Sequence, residues 1–209
     1  MPTSDDVKLP GAATGLKTPD GTVSNIERIG NQNDRIVSQL HGKMYEQCLR
    51  LNLFGAASQA ATTTTIALAT TYTGLCLSNP AGNTKNLVPR QVMAALSVAP
   101  AGIAPMAVGG GYAAAGVVTH TTPLTTYCMK LGNGQAATGL ADAAATLVGT
   151  PRVIMPFLGG FTAAALFATT PAIMDLEGSI IIPPGAYVFV YTLTVAVGLF
   201  GITWEEVPV

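Results

Sequence analysis

Ala186–Thr194 reads AYVFVYTLT, and its alternation decides the fold. Tyr187, Phe189, Tyr191 and Leu193 fall on one face of an extended chain, and Val188, Val190, Thr192 and Thr194 fall on the other. Side chains alternate across a strand with a period of two, and aromatic and β-branched residues favour that state. Pro183, Pro184, Gly185 and Ala186 close the run on its N-terminal side as a turn cluster. The run therefore reads as a strand without charge on either face. A sandwich strand normally buries one face and wets the other. The second face, Val188, Val190 and Thr192, is therefore expected to be covered by another subunit.

The same period extends upstream. Thr62–Ala69 (TTTTIALA), Gly74–Leu77 and Gln91–Val98 are short runs with β-branched residues at alternate positions. The cluster Ser78-Asn79-Pro80-Ala81-Gly82-Asn83 divides two of them, and Gly109-Gly110-Gly111 and Gly159-Gly160 read as further loops. Many short strands with Gly/Pro turns, and no strong helices between them, indicate an all-β sandwich or barrel. Ala136–Leu147 (AATGLADAAATL) is either a short helix, on Ala propensity, or a loop, given Gly139 and Asp142. Before the strands, residues 34–53 place Ile36, Val37, Leu40, Met44, Cys48 and Leu51 at spacings of three to four, which predicts a helix. The competing reading is a turn followed by two short extended pieces. Residues 1–30, punctuated by Pro2, Pro10, Gly11, Gly15, Pro19, Gly21 and Gly30, read as an extended arm that is either disordered or laid on a neighbour. The expected organisation is an arm and short helical segment over 1–59 and a β-sandwich domain over 60–209.

Charge is scarce and unevenly placed. Only 21 of the 209 side chains are Asp, Glu, Lys or Arg, and 12 of these lie in the first 50 residues. Residues 51–84 and 91–129 carry none. Soluble domains usually devote about a quarter of their residues to charge, so this chain is expected to hide surface in a membrane, a fibre or an assembly. The membrane reading rests on 178–204, which is uncharged. Pro183, Pro184 and Gly185 interrupt it, its later residues favour strands, and Glu205 and Glu206 follow it in place of a basic cluster. No membrane span is expected. Lys and Arg are scattered and matched by acids, so direct nucleic-acid binding is not expected either. MPTSDDVKLPGAATGLKTPDG lacks the basic and apolar regions of a signal peptide. Cys48, Cys76 and Cys128 are odd in number and have no metal-ligand spacing, so they read as reduced thiols with no metal site.

The sequence offers little chemistry. His41 lies five residues before Glu46, a spacing that does not share a helical face. His120 has no carboxylate within twenty residues. No GxSxG elbow is present, and the glycine run precedes no Lys-Ser/Thr. Asp175 and Glu177 flank Leu176, a pair a glycoside hydrolase or a hard-cation site would use. They read more simply as turn charges beside a strand, as Glu205 and Glu206 do at the tail. No enzyme activity and no cofactor are expected.

Three segments, in order, carry a resemblance: HGKMYEQCLRLNLF (41–54), TGLCLSNPAGNTKNLVPRQVMAALSVAP (73–100) and GSIIIPPGAYVFVYTLTVAVGLFGITWEEVPV (178–209). Together they resemble small virion proteins of tailed bacteriophages, in which an arm precedes a jelly-roll sandwich ending in a Pro-Gly-Ala-Tyr strand and a Trp-Glu-Glu tail. Such proteins are capsid cement or decoration proteins, typically trimers that clamp capsomer junctions. The resemblance implies a jelly-roll fold and a homotrimer bound to the major capsid protein. It also implies assembly in the host cytoplasm and residence on the capsid surface. Leu9, Leu16, Val23 and Ile26 would be the shell-binding residues of the arm. Jelly rolls also serve in tails, fibres and head spikes, so a receptor- or glycan-binding module is the alternative. A hydrolase using Asp175 and Glu177 is the third.

Overall fold

The computed structural model describes residues 43–66, 68–114, 118–158 and 172–209. All the described elements lie in one compact unit, Met44–Val209. Among the described residues, one short helix, α1 (Tyr45–Leu49), is followed by twelve strands. The first four are β1 (Leu53–Ala57), β2 (Thr62–Thr63), β3 (Thr71–Ser78) and β4 (Lys85–Val98), and the next four are β5 (Met106–Tyr112), β6 (Thr119–Pro123), β7 (Thr126–Cys128) and β8 (Leu140–Thr146). The chain ends with β9 (Arg152–Leu158), β10 (Ala172–Asp175), β11 (Ala186–Thr192) and β12 (Val197–Pro208).

The strands form two antiparallel sheets, ordered β10-β4-β12-β1-β7, with β2 also on β12, and β6-β8-β3-β11-β5-β9. Pairing is nested: β1 with β12, β3 with β11, β4 with β10, and β5 with β9. Successive nested pairs alternate between the sheets, as a long antiparallel hairpin does when rolled around a sandwich. This is jelly-roll topology. Strands β6–β8 are an insertion between the innermost pair, and they widen both sheets. The sandwich begins with β1 at Leu53, earlier than the boundary at residue 60 that the sequence indicated.

Between the sheets, Phe54, Leu75, Leu77, Leu87, Met106, Val188, Val190, Phe200, Ile202 and Trp204 form the main core. Trp204 is fully buried and stacks on Phe54 with ring centroids 6.2 Å apart. The predicted turn at Pro183–Ala186 forms as read: Ala186 N–H donates to Pro183 O at 3.0 Å, and Gly185 has φ 86. Proline at the second position and a positive-φ glycine at the third make it a type II turn.

Further sequence expectations change, and the run Thr62–Ala69 is strand only at Thr62–Thr63. Of the predicted 34–53 helix, residues 34–42 lie outside the described residues, and only Tyr45–Leu49 is helical. Leu51 turns the chain at φ 64, because Leu53 and Phe54 are buried on a strand between β12 and β7. Residues 140–146 form strand β8 despite their alanines, since pairing with β3 and β6 overrides local propensity. The glycine run 109–111 is strand, not loop: Gly109 pairs Phe189 and Gly111 pairs Tyr187 on β11, and a Cβ at either glycine would enter that partner's ring. Finally, Val188, Val190 and Thr192 face the core. Gly159 and Gly160 lie outside the described residues.

Candidate interaction surface

Val188, Val190 and Thr192 are 3%, 2% and 0% exposed within a single chain. They fill the space between the sheets and offer nothing to another subunit, which corrects the interface expected from the sequence. Their strand is indeed covered on both faces, but by its own chain. Tyr187 and Phe189 point outward into a second buried cluster with Tyr72, Cys76, Val118, Ala145 and Leu147. Tyr187 Oη donates to Val148 O at 2.7 Å, which fastens the segment after β8 over this face. The arm residues Leu9, Leu16, Val23 and Ile26, and His41, lie outside the described residues.

His120 finds a carboxylate that sequence distance concealed. Its Nδ1 lies 2.6 Å from Asp142 Oδ2, and the Asp142 side chain is completely buried. Burial pushes the Asp142 carboxyl up, and the hydrogen bond and charge of His120 offset part of that rise. Asp142 stands opposite Cys76 on the neighbouring strand. Burial, reinforced by Asp142, raises the Cys76 thiol far above its ordinary range. A protonated thiol without solvent access is not a nucleophile.

The tail carboxylates are also corrected. Glu205 and Glu206 are buried and paired, not exposed end-of-strand charges. Arg90 donates to Glu205, and Lys85 Nζ donates to Glu206 Oε2 at 2.9 Å. Backbone N–H groups of Thr138 and Gly139 donate to Glu206 Oε1 at 2.6 and 3.0 Å. Burial pushes the Glu206 carboxyl up, but the hydrogen bonds from Gly139, Lys85 and Thr138 prevail and hold it below its ordinary value. Asp175 and Glu177 are exposed on either side of buried Leu176, in the turn that leaves β10. Among the described residues, no three His, Cys, Asp or Glu side chains are grouped to hold a metal ion. None of the described helices is long and apolar enough to cross a membrane.

The two ends of the sandwich differ. At one end lie the start of β4, the end of β12 and the first residue of β9. Glu46 and Arg50 precede β1 at this end, where Leu53 pairs Glu205, and Lys85, Arg90, Arg152, Asp175, Glu205 and Glu206 gather in the same half. At the other end, residues 58–70, 99–105 and 193–196 connect strands and contain no Asp, Glu, Lys or Arg. Hydrogen bonds tie these connections together: Thr64 to Thr192 at 2.5 Å, Thr64 N–H to Ala196 O at 2.9 Å, and Thr194 Oγ1 to Ile103 O at 2.6 Å. They leave Ile66, Leu68, Val98, Ile103, Leu193 and Val195 in solvent, with Ile103 63% and Leu193 61% exposed. The missing charge was legible in the sequence. Its collection at one end depends on the strand order.

A groove of about 680 Å³ opens at the charged half, lined by Tyr112, Ile154, Ile181, Pro183 and Tyr187, with Arg152 as its charged side chain. Arg152 makes no ion pair with any described residue. Comparison with known proteins finds no matching family model, no matching curated protein and no matching solved structure.

Proposed function

We propose that this chain is a structural virion protein that binds and stabilises a bacteriophage capsid lattice as a cement or decoration protein. It acts as a homo-oligomer of three copies, with the major capsid protein of the same particle as its partner. The observation that carries this reading is the charge-free end of the sandwich, where six large aliphatic side chains stand in solvent. An apolar patch of that kind marks an interaction site on a soluble fold. The buried ionisable groups Asp142, Glu205 and Glu206 are engaged in holding strands and loops together, which suits a scaffold. Jelly-roll topology is compatible with this role and does not by itself specify it.

Antibody raised against the full chain should label the capsid surface of intact particles at regular lattice positions. Labelling confined to tails or fibres, or restricted to the soluble fraction of infected cells, would refute the cement role. The groove around Arg152 and Tyr112 favours a second reading, a receptor- or glycan-binding module on a head fibre or tail. That reading requires label on the fibre and saturable binding to host cells, lost on Arg152→Ala.

A further inference from the structure

We infer that the groove in the charged half of the sandwich binds an acidic saccharide, with Arg152 taking the sugar carboxylate and Tyr112 and Ile181 taking the faces of its rings. This assignment rests on the second reading above, the glycan-binding module, and is independent of the cement role.

The groove is hollowed by one glycine. Gly110 on β5 pairs Val188 on β11 and Arg152 on β9. Residues directly opposite each other in an antiparallel sheet project to the same face, and Tyr112, two positions along β5, shares it. Gly110 places no side chain there, so the space between Arg152, Tyr112 and Ile154 stays open. A Cβ at Gly110 would come within 2.7 Å of Ile154 Cδ1. The facing wall is Ile181 to Pro183, which is tied down on both sides. Leu87 N–H donates to Ile182 O at 3.0 Å, Ile182 N–H donates to Leu87 O at 2.8 Å, and Ala113 N–H donates to Gly185 O at 3.2 Å. A site ordered before its ligand arrives loses less entropy on binding.

Charge selects the ligand. Arg50, Lys85 and Arg90 each face a carboxylate, whereas the exposed Arg152 has no ion pair with any described residue. A guanidinium fork takes a carboxylate through two parallel N–H···O bonds. No second Lys, Arg or His is among the described residues that line the groove, so a phosphate dianion would keep part of its charge unmatched. The neighbouring surfaces select what carries the carboxylate. Tyr112 and Ile181 are 58% and 60% exposed, and the C–H faces of a pyranose ring cover such side chains while its hydroxyls stay in water. A volume of about 680 Å³ lies within the range of small-ligand sites. A peptide C-terminus is the other source of a carboxylate. Peptides of that kind dock as an added strand on unpaired backbone. The floor of this groove, paired across three strands through Val188, Gly110 and Arg152, offers none.

The test is calorimetric titration of the full chain with trigalacturonate, with its methyl ester, which keeps the rings and removes the charge, with inorganic phosphate and with free-carboxyl trialanine. Trigalacturonate is expected to bind saturably, and the methyl ester about tenfold more weakly, the loss of one charge-assisted pair. Phosphate and trialanine should also bind more weakly than trigalacturonate. Arg152→Ala should bring trigalacturonate down to the level of the ester and leave the ester unchanged. Tyr112→Ala should weaken both sugars, and Tyr112→Phe, which keeps the ring, should restore them. Both positions are exposed, so far-ultraviolet circular dichroism should stay the same in all three variants. If the acid and its ester bind equally, or Arg152→Ala binds the acid as the unchanged chain does, the acidic-sugar assignment is overturned and the glycan reading stands. Absence of binding by either sugar at millimolar concentration overturns both. Tighter binding of trialanine or of phosphate assigns the groove to a different ligand and overturns the inference as well.

Discussion

Glu206 illustrates what a single residue contributes once the chain is folded. It accepts from Lys85 and from the backbone of Thr138 and Gly139, and thereby ties the end of β12 to the start of β4 and to the segment before β8. Because its carboxyl is held below the ordinary value, the folded chain favours the charged form more than the unfolded chain does. The stability this supplies is full above the unfolded pKa and is lost as pH falls through the lower folded one. Glu206→Gln is expected to lower stability by about 2 kcal/mol at neutral pH. The difference should shrink when denaturation is repeated well below the ordinary carboxylate pKa of ~4. Equal stability at neutral pH would show that the pair contributes nothing. At His120 the sign of the effect depends on what is left behind. His120→Ala strands the buried Asp142, whose Oδ1 already makes no hydrogen bond, and is expected to cost about 3 kcal/mol. Adding Asp142→Leu should recover much of that loss in thermal denaturation, because an apolar side chain has no charge to strand. Neither role was legible in sequence. The partners of Glu206 and Glu205 lie 121 and 115 residues away, and Asp142 lies 22 residues from His120.

At the scale of elements, β5 and β11 make one device. Tyr187 and Phe189 lie over Gly111 and Gly109, so the glycines supply the space that the rings occupy. Aromatic cover of strand glycines is a known way to stabilise an otherwise weak strand. Gly109→Val is expected to destabilise the fold by about 3 kcal/mol through overpacking. Gly82→Ala, in open space on a turn, should change stability little. Chemical denaturation of the two variants tests the assignment, which fails if they are equally stable. The alternation in Ala186–Thr194 correctly indicated a strand, because a period of two needs no knowledge of neighbours. It did not reveal which face met the opposite sheet, since both faces are apolar and the covering segment at Leu147 and Val148 is distant in sequence. The glycine run and the alanine-rich β8 were misread for a related reason. Their strand state comes from flanking partners and overrides what the residues prefer alone.

At the scale of the whole molecule, the sequence revealed the shortage of charge and the many short strands, and the fold revealed where the shortage is concentrated. Val190 shows the difference this makes. Read as an interface residue, Val190→Asp would disperse or unfold the assembly. Buried between the sheets at 2% exposure, it should unfold the chain itself, with loss of the β circular dichroism signal. Folded monomers from this variant would contradict the core placement. The same polarity bears on residues 1–30. Residues 44–52 lead into β1 at the charged end, where Leu53 pairs Glu205. Residues 1–30 carry Asp5, Asp6, Lys8, Lys17, Asp20, Glu27 and Arg28 between apolar Leu9, Leu16, Val23 and Ile26, a mixture able to pair with a charged shell surface while burying a few side chains. Deleting residues 2–30 is expected to leave the sandwich folded and associated but to reduce its occupancy on particles. Hydrogen exchange should show protection of these residues in the particle-bound protein beyond that in the free protein, because a docked segment gains protection. If the shortened chain decorates particles with unchanged occupancy and unchanged heat resistance, the shell contact lies on the sandwich itself. The charged end around Arg152 would then be the surface to mutate next, since it offers groups that a charged lattice could pair.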